Sequence, residues 1–206
     1  MNTLLILSAM CAILAYIPLW VHLPSGKVKQ NLLTWILWGS LEVIMTAAIV
    51  AQKGNFLLPA AYFLGTVVTI YLIFRAQKGV RSDARVGAPI PFGRLGWTWF
   101  ESIVTALVIA CMIIWYFVGS KVATIAGTFA MLFAGIPQLI DVWRCPREMP
   151  LLTALLYLSA NSLSSAGGKD WSIQERFYPT CAVFYSLATI IFILRRYRTA
   201  STPAPA

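Results

Sequence analysis

Glu42 stands ten residues into an apolar stretch of about twenty, residues 32–52. A charge at that depth in hydrocarbon costs roughly 3 kcal/mol or more, so the side chain is expected to face other helices and to hold a proton part of the time. Asn161 lies at the same depth in a later apolar stretch, residues 151–167. Trp38 and Trp35 come one and two helical turns before Glu42, and Tyr157 comes one turn before Asn161. Aromatic faces cover the apolar surfaces of sugars and attract cations. Trp35, Trp38, Glu42, Tyr157 and Asn161 are therefore the candidate binding set for a small polar solute, with Glu42 taking a proton or a cationic group. The plainer alternative makes Glu42 one half of a structural hydrogen bond between helices.

Two prolines, Pro18 and Pro137, each sit about one turn from the end of an apolar stretch. Proline removes a backbone hydrogen bond and clashes with the preceding turn, so each is a candidate hinge for a gate. Gln138 follows the second proline and offers an amide to a neighbouring helix, whereas Leu19 follows the first. Four residues beyond each proline come His22 and Asp141, both at one mouth of the bundle. Histidine titrates near neutral pH. Asp141 is a second candidate for proton coupling, or alternatively an interfacial ion pair with Arg144 or Arg147. Ser159, Asn161, Ser162, Ser164 and Ser165 make the stretch 151–167 unusually polar, suited to close helix packing or to a water-filled path.

These residues recur in register. Ile17-Pro18 returns 119 positions later as Ile136-Pro137, Leu32-Leu33-Thr34 as Leu151-Leu152-Thr153, Leu37 as Leu156, Ser40 as Ser159, and Glu42 meets Asn161. After a one-residue insertion the match continues, with Pro59 against Pro179, Thr69 against Thr189, Ile70 against Ile190 and Arg75 against Arg195. A duplicated three-segment unit implies two similar halves facing each other, and in membranes such halves often enclose a transported substrate.

Composition sets the medium. Apolar residues make up 59% of the 206 and charged ones 11%, about half the charge of a water-soluble domain. Mean hydropathy is +0.76. Seven stretches are long enough to cross a bilayer as helices, about 3–23, 32–52, 56–75, 98–118, 122–143, 151–167 and 177–195. The runs are continuous rather than alternating, which excludes a β-barrel. With the N-terminus outside, 12 of the 16 basic residues fall on the cytoplasmic side, leaving Lys53, Lys121, Lys169 and Arg176 outside. The net charge of +9 thus orients the chain in a bilayer and does not point to nucleic acid. No basic residue precedes the first apolar run, so an uncleaved first helix is expected rather than a signal peptide. Cys11, Cys111, Cys145 and Cys181 are far apart and fit packing roles, not a disulfide or metal framework.

A three-helix unit that starts outside ends inside, so a second copy in the same orientation needs one helix between. The expected fold is an all-α integral membrane protein of seven transmembrane helices in a 3+1+3 parallel-repeat arrangement, N-terminus outside and C-terminus cytoplasmic. Its parts are a first repeat at 1–76, a cytoplasmic connector at 77–97, a linker helix at 98–119, a second repeat at 120–198 and a disordered tail at 199–206. Glu101, beside Trp97 and Trp99, fits an interfacial belt.

Gly135-Ile136-Pro137-Gln138-Leu139, followed by Arg144, resembles the Pro-Gln signature of the PQ-loop family, which includes SWEET-like sugar transporters and lysosomal amino-acid exporters. Architecture extends the resemblance over the whole chain, while Leu19 departs from the motif in the first copy. The resemblance implies alternating access between two bundles, with an asparagine and aromatics of each half around the solute and an acidic residue near the second motif. The expected function is transport of a small polar solute such as a sugar or amino acid, with no cofactor or metal. The alternative is a receptor or cargo-recognition protein of the same fold that binds without transport. An enzyme is not expected, since one histidine at a membrane edge and scattered cysteines form no catalytic cluster. A retinal protein is excluded by the lack of lysine in 177–195. The partners are the solute and the lipid bilayer, a homo-oligomer stays open, and short loops suit a bacterial cytoplasmic membrane.

Overall fold

The computed structural model describes residues 2–23, 32–82, 99–144, 146 and 149–200, without the side chains of residues 22, 33, 34, 76–82, 101, 141 and 196–200. The roles read for the side chains of His22, Glu101 and Asp141, most of the 77–97 connector, Cys145 and the tail beyond Ala200 lie outside the described residues.

Regular structure among the described residues is entirely helical: α1 (Thr3–His22), α2 (Leu32–Ala51), α3 (Leu57–Ser82), α4 (Trp99–Val118), α5 (Ser120–Ala134), α6 (Ile136–Arg144), α7 (Leu151–Gly167) and α8 (Tyr178–Ala200). A wider π-type turn, Ile173–Phe177, leads into α8. The helices follow the apolar stretches, except that α3 runs on to Ser82, into the stretch read as connector, and α8 to Ala200, into the first residues read as a disordered tail. α5 and α6 share the fifth stretch and are separated at Gly135. Asn2 caps α1 by accepting from the Leu4 N–H at 3.1 Å. Gly119 reverses the chain between α4 and α5 at φ 106°, a region that disfavours side chains.

Four helical segments are long and apolar enough to cross a membrane, Thr3–Val21, Leu57–Arg75, Ser120–Arg144 and Ile173–Arg195. Trp35–Ala51 and Ser102–Val118 are shorter apolar helices. Polarity is inverted relative to a water-soluble bundle. Ser8, Glu42, Thr66, Thr69, Thr124, Asn161 and Thr189 are buried, while Met10, Val21, Leu64, Ile109, Phe129 and Ile191 are exposed. Hydrocarbon favours that arrangement, because polar groups find partners only inside the bundle. The chain is a helical membrane protein. Exposed aromatics mark both ends of the bundle, Trp99 and Trp143 at one and Tyr116, Phe117 and Trp171 at the other. Along α4 the two levels are about 26 Å apart at 1.5 Å per residue, close to the thickness of a hydrocarbon core.

Packing order repeats along the chain. α3 packs on both α1 and α2, and α8 packs on both the α5–α6 pair and α7. The first three helices meet the later ones mainly where α1 crosses α7 and α2 crosses α5, and α3 also touches α7. α4 packs on α2 and α5. Small residues bring the backbones together at both crossings. The Ser8 hydroxyl donates to the Ala160 carbonyl at 2.7 Å across α1 and α7. A Cβ on Gly127 of α5 would lie 2.5 Å from Met45 Sδ of α2. Ser8 and Gly127 are 119 positions apart, the spacing of the repeat.

One interlock appears twice with its parts exchanged. Tyr16 of α1 lies over Gly65 of α3, where a Cβ would come within 2.3 Å of the ring. The positions matched to these in the repeat are Gly135 and Tyr185. There the ring comes from α8 and the glycine precedes α6, with a Cβ on Gly135 falling 2.6 Å from the Tyr185 ring. Each trio of helices thus holds one ring and one bare backbone at the same joint. Gly65→Ala is expected to lower the melting temperature of the purified protein by the equivalent of about 1–3 kcal/mol. In a Tyr16→Ala background the added methyl should be nearly neutral, so the two losses should not add. Additive losses would contradict the joint as described.

Candidate functional site

Helix α2 carries Glu42 at the level where five helices converge, and the residue is 2% exposed. The Thr66 hydroxyl of α3 lies in hydrogen-bonding reach of the carboxyl. The Oε2 atom is buried without a hydrogen-bond partner. Four tyrosines from four other helices are close enough to feel a charge on Glu42: Tyr16 of α1, Tyr62 of α3, Tyr157 of α7 and Tyr178 of α8. Glu42 therefore sits where the first and last helix trios meet.

Tyr16 is the hub of the aromatic cluster. Its hydroxyl donates to the Tyr62 carbonyl at 3.2 Å and lies 3.5 Å from Thr66 Oγ1. Its ring stacks on Trp20 at 5.7 Å, tilts against Trp35 at 6.2 Å and meets Tyr157 edge-on at 5.7 Å. Trp35 continues the cluster to Trp38 at 5.9 Å, and Tyr157 continues it to Tyr62 at 5.6 Å. Such offset and edge-on pairs are the favoured ring geometries.

Asn161 of α7 is 3% exposed. Its Oδ1 accepts from the Tyr62 hydroxyl at 2.9 Å. Its Nδ2 donates to Ser186 Oγ at 3.0 Å and to the Ala182 carbonyl at 3.3 Å. Tyr62 thus ties Asn161, from the last trio, to the surroundings of Glu42, in the first. The side chain next to each is also matched: Thr66 beside Glu42 occupies the repeat position of Ser186 beside Asn161. All five residues of the expected binding set come together, Trp35, Trp38 and Tyr157 through the Tyr16 cluster and Asn161 through Tyr62.

The two proline sites differ. α1 runs unbroken through Pro18 to His22. In the later trio the helix stops at Ala134 and restarts at Ile136, so Pro137 stands in the first turn of α6, where its missing N–H costs least. Two side chains donate to carbonyls at the break, where the Gly135 carbonyl also accepts from the Leu139 N–H at 3.2 Å. Trp38 Nε1 donates to the Ala134 carbonyl at 3.3 Å. The Tyr185 hydroxyl donates to the Gly135 carbonyl at 2.9 Å, with Gln138 Oε1 a second acceptor at 3.2 Å. Gln138 does bridge to a neighbouring helix, accepting rather than donating in the bond to α8.

The threonines Thr69 and Thr189 bond back to Gly65 and Tyr185 carbonyls one turn earlier, as their matched positions suggested, and Trp20 Nε1 donates to Thr69 Oγ1 at 3.0 Å. The serines of α7 do not line one surface. Ser164 and Ser165 bond to Asn55 and Thr180, whereas Ser159 and Ser162 lie on the exposed face with Leu152 and Leu155. Cross-trio hydrogen bonds close the end of the bundle that carries Trp171. Asn2 Nδ2 donates to the Gly167 carbonyl at 2.9 Å, Gln52 Nε2 to Thr124 Oγ1 at 2.8 Å and Asn55 Nδ2 to Ser164 Oγ at 2.9 Å. The Arg176 guanidinium holds the nearby loop by donating to the carbonyls of Ser165, Gly168 and Asp170. Elsewhere a groove of about 730 Å³ runs among α4, α5, α6 and α8; its lining includes Ile103, Phe129, Phe133 and Phe184, and it shares only Tyr185 with the polar network.

Sequence reading missed Tyr16, Tyr62, Thr66, Tyr178, Tyr185 and Ser186. Reading the repeat position by position, mismatches included, would have found two of the pairs: Tyr16 and Gly65 against Gly135 and Tyr185, and Thr66 against Ser186.

Compared with known proteins, the chain matches no family model, no curated protein and no solved structure.

Removing the Tyr62 hydroxyl (Tyr62→Phe) deletes one hydrogen bond and is expected to cost about 1 kcal/mol. Asn161→Leu leaves the Tyr62 and Ser186 hydroxyls unpaired in the core and should cost more, about 2–3 kcal/mol. Thermal unfolding in detergent ranks the two variants. A larger loss in Tyr62→Phe would contradict the network.

Proposed function

We propose that this protein is a transporter of a small polar solute, of the PQ-loop and SWEET-like kind, working by alternating access between two three-helix bundles. α1–α3 form one bundle, α5, α6, α7 and α8 the other, and α4 links them, with the N-terminus outside and the C-terminus cytoplasmic. The observation that carries the reading is the pairing of Glu42 with Asn161. These side chains occupy matched positions of the repeat, are buried at the junction of the two trios, and keep matched hydroxyl partners, Thr66 and Ser186. Polar groups at mid-depth between two similar bundles are what a membrane carrier needs at its solute site.

The closed end supports a directional assignment. Cross-trio bonds at Asn2, Gln52 and Asn55 hold the bundles together at the end carrying Trp171, which basic-residue asymmetry places outside. Opening on the opposite side needs a joint in at least one bundle. The break at Gly135, followed by Pro137, supplies it, with the Ala134 and Gly135 carbonyls accepting from Trp38 and Tyr185. Pro18, inside a continuous helix, makes α1 the stiffer counterpart. Gln138 tunes the joint through Tyr185, and Glu42 is the candidate coupling group.

Reconstituted flux tests the reading. Solute uptake into proteoliposomes is expected with the wild type, and binding without uptake would favour a receptor. Glu42→Gln should remove any pH dependence of uptake; an unchanged pH profile would reject the coupling role. Pro137→Ala restores the missing N–H and should slow uptake more than it weakens binding. Equal losses in both would argue against a hinge.

A further inference from the structure

The geometry points to an organic ammonium ion that carries no carboxylate as the ligand of the Glu42 cluster, a primary or quaternary amine rather than a sugar or a zwitterion. The inference rests on the transporter reading for its biological sense and deepens it by naming the solute class.

Three observations carry it. The first is which polar atoms are already engaged. Asn161 uses its oxygen on Tyr62 and its nitrogen on Ser186 and Ala182. Thr66 lies between Tyr16 and Glu42. In this cluster the buried polar atom without a partner is Glu42 Oε2. A sugar asks for many donors and acceptors arranged around it, whereas one unmatched carboxyl oxygen asks for a single positive or donating group.

The second is the surroundings of that oxygen. Tyr16, Trp35, Tyr62 and Tyr157 form a connected set of rings, with Trp20 and Trp38 at its edges, and Thr66 links Tyr16 of that set to Glu42. Ring faces are negative, and several of them together are the usual device for holding an ammonium group. Two of the ring pairs, Tyr16 with Tyr157 and Tyr62 with Tyr157, join opposite bundles. Parting the bundles frees those faces, so a cation would replace ring-to-ring contacts as it enters.

The third is charge. Lys53, Lys121, Lys169 and Arg176 lie at one end of the helices and Arg75, Arg144 and Arg195 at the other. Among the described residues no Lys, Arg or His occupies the central turns around Glu42. A carboxylate on the solute would meet Glu42 with no positive partner, which selects against zwitterionic amino acids and anions.

Tryptophan fluorescence and thermal shift of the purified protein in detergent test this with tetramethylammonium and choline chloride as probes, against glucose, glycine and matched sodium chloride. Saturable quenching and a raised melting temperature are expected for the two ammonium salts only. Glu42→Gln should weaken choline binding by at least about tenfold, and Trp35→Leu should weaken it as well. If Glu42→Gln does not run as a single species on size exclusion, Trp35→Leu decides. Equal choline affinity in either folded variant, or no saturable ammonium binding by the wild type, overturns the proposal. Binding of glucose or glycine instead overturns the solute class and leaves the carrier reading standing. Choline binding without uptake into proteoliposomes removes the carrier reading and leaves the ammonium site.

Discussion

A carboxyl group in the middle of a membrane helix has to be insulated from lipid, and much of the architecture follows from how Glu42 is insulated. The insulating groups come from four other helices. Two belong to the first trio, Tyr16 on α1 and Tyr62 on α3, and two to the last, Tyr157 on α7 and Tyr178 on α8. Phenol rings suit the task because they present apolar area and a hydroxyl together, so they exclude lipid without leaving the site dry of partners. Bringing rings of both trios into contact, as Tyr16 and Tyr62 with Tyr157, requires the trios to pack closely, as they do where α1 crosses α7 and α2 crosses α5. Small residues at those crossings, Ser8 and Gly127, let the backbones come close enough for the rings to meet.

The insulation is incomplete on one side. Tyr16, Tyr62 and Asn161 nearby all have hydrogen-bond partners, and the second carboxyl oxygen does not. A structural hydrogen bond between helices would have used both oxygens or been served by an amide, as at the matched Asn161, whose oxygen and nitrogen are both engaged. The difference between the matched positions is therefore informative. Asn161 is a fully hydrogen-bonded tie between bundles, and Glu42 keeps one oxygen without a hydrogen-bond partner. The two proline sites differ in the same way: α1 stays continuous through Pro18, while the later helix is cut at Gly135 and carbonyls at the cut accept from Trp38 and Tyr185 side chains.

Much of the fold was legible because the bilayer imposes a simple rule. Helices follow from continuous apolar runs, but the fifth run is split at Gly135 into α5 and α6, and charged and small residues after Arg75 and Arg195 hide helices that continue to Ser82 and Ala200. Glu42 and Asn161 were visible for the same reason, as polar groups where polarity is costly. Tyr16, Tyr62, Tyr178 and Tyr185 were not, because a tyrosine in an apolar run carries no cost that singles it out. Only its partner across the bundle gives it a role, and partners 46 or 99 positions away, as for Tyr16 and Tyr62, leave no local trace. Serines on α7 misled in the opposite sense: hydropathy counts Ser159 and Ser162 with Asn161, but a helical period of 3.6 turns them to the other face.

The exchanged interlock of Tyr16 with Gly65 and of Gly135 with Tyr185 makes the bundles individually sound and mutually incompatible. A chimera that grafts α1 in place of the α5–α6 pair would force two phenols into one slot at Tyr185, and the reverse graft would leave a void above Gly65. The two trios therefore cannot share one sequence at this joint and both keep a ring opposite a bare backbone, so a version assembled from two identical trios is a different object from this one.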